Sequence, residues 1–131
     1  MSLPPRILAT GAAETLMAKL EAIHGPLMFH QSGGCCDGSA PMCYPAGEFR
    51  VGGQDVLLGH VGERGDIPVW IGAAQFDYWR HTQVTIDVVP GRGAGFSLEG
   101  PEGLRFIVRS TLFSDAEAEA LEAAGQPQTG A

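Results

Sequence analysis

Apolar residues recur at helical spacing near the start of the chain: Leu16, Leu20 and Ile23 stand at i, i+4 and i+7, and Ala13 and Met17 widen the stripe. This pattern predicts an amphipathic helix over 10–24. Thr10 or Gly11 can cap it, Glu14 puts a carboxylate in its first turn, and Gly25-Pro26 stops it. The following segment, 26–31, is too short and too apolar for anything but a strand, with Leu27, Phe29 and Gln31 on one face and Met28 and His30 on the other.

Beyond residue 47 the period shortens to two. Strands are predicted over 48–51, 55–61 and 68–72, with Gly52-Gly53 as a tight turn between the first two. The clearest alternation runs over 82–89, where Thr82, Val84, Ile86 and Val88 oppose Gln83, Thr85 and Asp87. Turns at 90–93 and 100–103 bracket a short strand at 95–99, and 104–111 sets Leu104, Phe106 and Val108 against Arg105, Ile107 and Arg109. Ser114 and Glu117 spell a capping box that opens a helix over 115–124, ended by Gly125, and 126–131 reads as a loose tail. The expected architecture is one α+β domain over 1–131, its core about 10–124: an N-terminal helix packed on antiparallel sheets or a sandwich, with a short C-terminal helix.

Composition narrows this further. A length of 131 residues with 44% hydrophobic residues suits one core, and 19 glycines with 9 prolines favour short elements joined by turns over a helical bundle. The formal charge of −7, with no basic run, argues against nucleic acid and against an anionic membrane surface as partners. The first residues lack a charged start followed by a long apolar stretch, and no window reaches the roughly 18 apolar residues of a span, so a cytoplasmic protein is expected. Three cysteines, an odd number gathered in one stretch, fit reduced thiols better than a disulfide framework. Exposed strand edges would allow a homodimer.

Those cysteines carry the first candidate chemistry. The segment from His30 to Cys43 places Cys35, Cys36 and Cys43 on a glycine-rich turn directly after an apolar strand. Gly38 and Pro41 let the loop between Cys36 and Cys43 bend back, so His30, Cys35, Cys36 and Cys43 form a candidate ligand set for one transition metal, zinc or iron on the softness of thiolate and imidazole. Three thiolates with His30, or two with a histidine and a water or carboxylate, both satisfy four-coordination. Two other readings stay open: thiols without a ligand, and a nucleophilic or redox-active thiol whose pKa is lowered by the amides of Gly33 and Gly34 and by His30. Enzyme status therefore rests on the thiols alone.

A second constellation, Gln75-Phe76-Asp77-Tyr78-Trp79-Arg80-His81-Thr82-Gln83, leads into the clearest strand. His81, Gln83 and Asp87 share its polar face with Thr85 and are candidate ligand-contacting residues, although aromatic residues in such a run commonly fill a core edge. His24 is explained by a helix C-terminus, which favours a cation. His60 has no evident partner in the pattern. Gly91-Arg92-Gly93-Ala94-Gly95 is a hairpin turn rather than a phosphate cradle, since no helix follows it, and no nucleotide cofactor is expected. No Gly-x-Ser-x-Gly elbow is present.

Three stretches, 24–39, Trp79-Arg80-His81-Thr82-Gln83 and 91–99, together resemble domain-of-unknown-function family 779, a bacterial family whose genes neighbour aldehyde dehydrogenase genes. The resemblance runs from the first helix to Phe113 and is most specific in the cysteine segment. It implies an accessory role in aldehyde or alcohol metabolism with an aldehyde dehydrogenase as partner, through the metal, through a thiol, or as a metal-free binding module. A fainter similarity, carried by Gly33-Gly34-Cys35, is to the HesB-like A-type iron-sulfur carriers and implies a β-sandwich of their kind. Those carriers have a later Cys-x-Cys pair, whereas nothing after Cys43 here is cysteine.

Overall fold

The computed structural model describes residues 5–31, 41–47, 51–91, 98 and 102–125, with the side chains of Tyr78 and Trp79 outside that description. Thr10 is extended, and its hydroxyl accepts a hydrogen bond from the Ala13 N–H at 3.2 Å, so helix α1 begins at Gly11 (Gly11–His24). Ala13, Leu16, Met17 and Leu20 form its buried face, while Ile23 is 58% exposed and lies off the stripe that the spacing suggested. Before α1 stands a three-residue strand, β1 (Ile7–Ala9), too short to announce itself by alternation.

The remaining elements are β2 (Leu27–Gln31), β3 (Met42–Pro45), β4 (Asp55–Val61), β5 (Ile67–Gly72), α2 (Ala73–Trp79), β6 (Thr82–Pro90), β7 (Leu104–Leu112) and α3 (Asp115–Ala123). They make two sheets, ordered β1-β6-β7 and β3-β2-β5-β4. Each contains a parallel pair, β1 with β6 and β2 with β5, so the sheets are mixed rather than antiparallel as the pattern suggested. Alternation reports which face of a strand is apolar but says nothing of the direction of its neighbour.

The apolar faces of the two sheets meet. Ile7, Val84, Ile86, Phe106 and Val108 from one belong to the same buried cluster as Leu27, Phe29, Val56, Val69 and Ile71 from the other. Phe29 and Phe106, both fully buried, stack edge to face with ring centroids 5.0 Å apart. Helix α1 contacts both β6 and β2 and closes one flank of this core. On the other flank β4 breaks register between Leu57 and Gly59, and Gly59 has a φ of 151°. A Cβ there would lie 2.8 Å from the Ile7 Cγ2, so the glycine permits the close approach of β1 to β4.

Several expected elements shift. Val51 belongs to no strand, and 48–50 lie outside the described residues; the Gly52-Gly53 turn is present, closed by the Asp55 N–H donating to the Gly52 carbonyl at 3.0 Å. The strand expected over 95–99 also lies outside, apart from Leu98, whose N–H donates to the Cys43 carbonyl. Helix α3 has the capping box complete: Ser114 Oγ accepts from the Glu117 N–H, and Glu117 Oε1 from the Ser114 N–H. The tail, 126–131, is not among the described residues. Among those that are, no helix is long and apolar enough to cross a membrane.

Candidate functional site

All five residues of β2 are buried, because the strand has a neighbour on each side and cover on both faces. Its register decides what each side chain meets. Phe29 pairs with Cys43 on β3 and with Val69 on β5, and all three point into the core between the sheets. His30 pairs with Met42 and Trp70 and points to the opposite face.

On that outer face His30 is 4% exposed, and its Nε2 lies 2.6 Å from Asp55 Oδ1. Asp55 opens β4, one strand beyond β5, and its register partner on β5 is Gly72, which offers no side chain between them. The second carboxylate oxygen accepts the Gly52 N–H at 3.0 Å, so the turn that starts β4 also fixes the rotamer of Asp55. Burial acts to raise the Asp55 pKa, but the hydrogen bonds from His30 and Gly52 and the attraction to His30 outweigh it, and the carboxyl is held below its ordinary value. An ionised carboxylate only accepts, which makes Nε2 the donor and sets the orientation of the imidazole.

This pair was half visible in the sequence. The sequence marks His30 as a candidate ligand through the thiols that follow it, and places Asp55 only at the start of a strand. Cys43, expected in the cysteine loop, is instead on a strand, fully buried in the core and on the other face of the sheet from His30, so one ion cannot draw on both. Cys35 and Cys36 lie outside the described residues. Among the described residues no three His, Cys, Asp or Glu side chains come together as a metal-holding group.

The second constellation separates as well. Asp87 accepts hydrogen bonds from the Val88 N–H at 2.8 Å, from Arg109 Nε at 3.0 Å and from the Thr10 hydroxyl at 3.0 Å. The Val88 and Arg109 bonds lead in lowering its pKa, and the residue is part of the framework that ties β6 to β7 and to the cap of α1. Gln83 donates to the Pro5 carbonyl at 3.0 Å and anchors the segment before β1. His81 is exposed on the turn before β6 and lines a pocket with Arg6 and Arg80. His24 and His60 are both exposed.

Neither the curated proteins nor the solved structures contain a match to this chain. The model of the family DUF779, described as a domain of unknown function, matches residues 16–112, a span that runs from α1 through the His30–Asp55 pair to the end of β7. With that much of its length matched, the chain belongs to the DUF779 family.

Proposed function

We propose that this protein is an accessory protein of aldehyde or alcohol metabolism that binds one transition metal, zinc or iron, where the chain leaves β2. The observation that carries the metal is the His30–Asp55 contact of 2.6 Å. A metal-ligating histidine characteristically gives its other ring N–H to a carboxylate, which fixes tautomer and orientation. Cys35 and Cys36 follow His30 five and six positions later in the sequence and supply the thiolates, with water or a carboxylate completing the set. Cys43 is left to the core. The dehydrogenase partner rests on the family resemblance.

Elemental analysis of protein purified without chelator tests this. One equivalent of metal per chain is expected, lost on Cys36→Ser and on His30→Asn, and bound roughly 10–100-fold more weakly on Asp55→Asn. Sub-stoichiometric metal in the unaltered protein overturns the reading.

The same pair favours one second reading, a thiol enzyme or redox sensor, because nucleophile, base and orienting carboxylate form a recurrent catalytic arrangement. Iodoacetamide labelling separates the two. Rapid alkylation near neutral pH without metal release supports the nucleophile, and protection lifted by a chelator supports the ligand set.

A further inference from the structure

Arg6 and Arg80 are 74 residues apart, yet Arg6 Nη1 donates to the Arg80 carbonyl at 3.1 Å. Both guanidinium groups stand over the buried ring of Phe76, Cζ of Arg6 at 5.2 Å and Cζ of Arg80 at 6.0 Å from its centroid. Arg80 caps the C-terminus of α2, where a cation is favoured. Arg6 donates to the carbonyl of that same cap residue, so two cations share one short helix end. The Arg6 pKa is lowered, by burial first and then by the charge of Arg80. Among the described residues neither arginine makes an ion pair. In a chain with only 8 Lys and Arg and a net charge of −7, that is an uneven use of scarce positive charge.

The two guanidinium groups line a pocket of about 180 Å³ with His81, Phe76 and Leu121, closed on one side by α3. Glu122 is the acidic residue among its lining groups. The volume holds roughly half a dozen waters, which suits an anionic end group rather than a whole nucleotide. Arginine forks match planar and tetrahedral oxyanions, and Phe76 and Leu121 give an apolar wall for whatever carries the charge.

We infer that this pocket binds the oxyanion group, carboxylate or phosphate, of a small molecule, with Arg6 and Arg80 as the paired donors and His81 at the rim. The site draws on the segment before β1, on α2 and on α3, and stands independently of the His30–Asp55 pair.

Calorimetric titration of the full chain with sodium phosphate and, separately, sodium acetate, each against sodium chloride at matched ionic strength, tests it. Saturable binding of either anion beyond chloride is expected; phosphate alone identifies a phosphate-bearing ligand and acetate alone a carboxylate. Arg80→Gln, which keeps the main-chain carbonyl that Arg6 uses, should weaken binding at least 10-fold. Glu122→Gln, exposed and outside the arginine pair, should tighten it two-fold or more. No saturable binding of either anion, or equal affinity in the unaltered protein and in both variants, overturns the inference.

Discussion

Phe29 and His30 are neighbours on one strand and live in different chemical surroundings. Phe29 meets Phe106 edge to face in a core that excludes water, while His30, equally hidden, meets a carboxylate held by a turn. The inner face is held by area and shape, which tolerate exchange among apolar residues of similar volume. On the outer face the His30–Asp55 contact is charge-assisted, and such a contact tolerates no exchange of either partner. Register, more than closeness in sequence, decides which reactive groups meet: it gives Cys43 to the first face and Asp55 to the second.

The largest effect should come from the inner face. Phe106→Ala removes half of the aromatic pair, and urea unfolding should show a loss of about 3–5 kcal/mol, with metal per folded chain unchanged. Equal loss of metal and of stability would mean that the two faces are not separate. Asp55→Ala strands the His30 and Gly52 N–H groups and should cost about 1–3 kcal/mol in the same assay.

Acid sharpens the contrast. Because the folded pKa of Asp55 is depressed, its contribution is present above the ordinary carboxylate pKa of about 4 and is lost as pH falls through the lower folded value. Stability followed from pH 6 to pH 2 should therefore fall less steeply for Asp55→Asn than for the unaltered protein, leaving Asp87, also depressed, as a shared background. Phe106→Ala should keep the unaltered slope at a lower overall level. The smallest effect is expected for Cys43→Ala, about 1 kcal/mol for a few buried contacts, with metal content untouched. Metal loss in a folded Cys43→Ala protein would return that thiol to the site.

Much of the fold was legible wherever a period repeats several times. The stripe of α1, the alternation of β6 and the capping box of α3 are each written within one short window. β3 leaves no such signature, because its four residues are too few to show alternation and it ends at Pro45. α2 escaped because Phe76, Tyr78 and Trp79 are modest helix formers and its seven residues hold fewer than two full apolar repeats. The parallel pairings left no local trace at all. At the site, His30 was visible through its company of thiols, whereas Asp55 lies 25 residues away and across an intervening strand. One signal was there: an aspartate closing a Gly-Gly turn at the mouth of an apolar strand is placed to bond that turn and to face a neighbour.

β1 hydrogen-bonds with β6, and the residues that join those two elements lie far apart along the chain, Thr10 reaching Asp87 across 77 positions. During synthesis Ile7 and Leu8 emerge long before Thr82–Pro90 exists to receive them, and closing so wide a loop costs entropy before the ladder returns anything. β1 thus stays unpaired until late in synthesis. Birth on the ribosome, rather than life as a finished molecule, is the stage at which this protein is most open to sticking to its own copies.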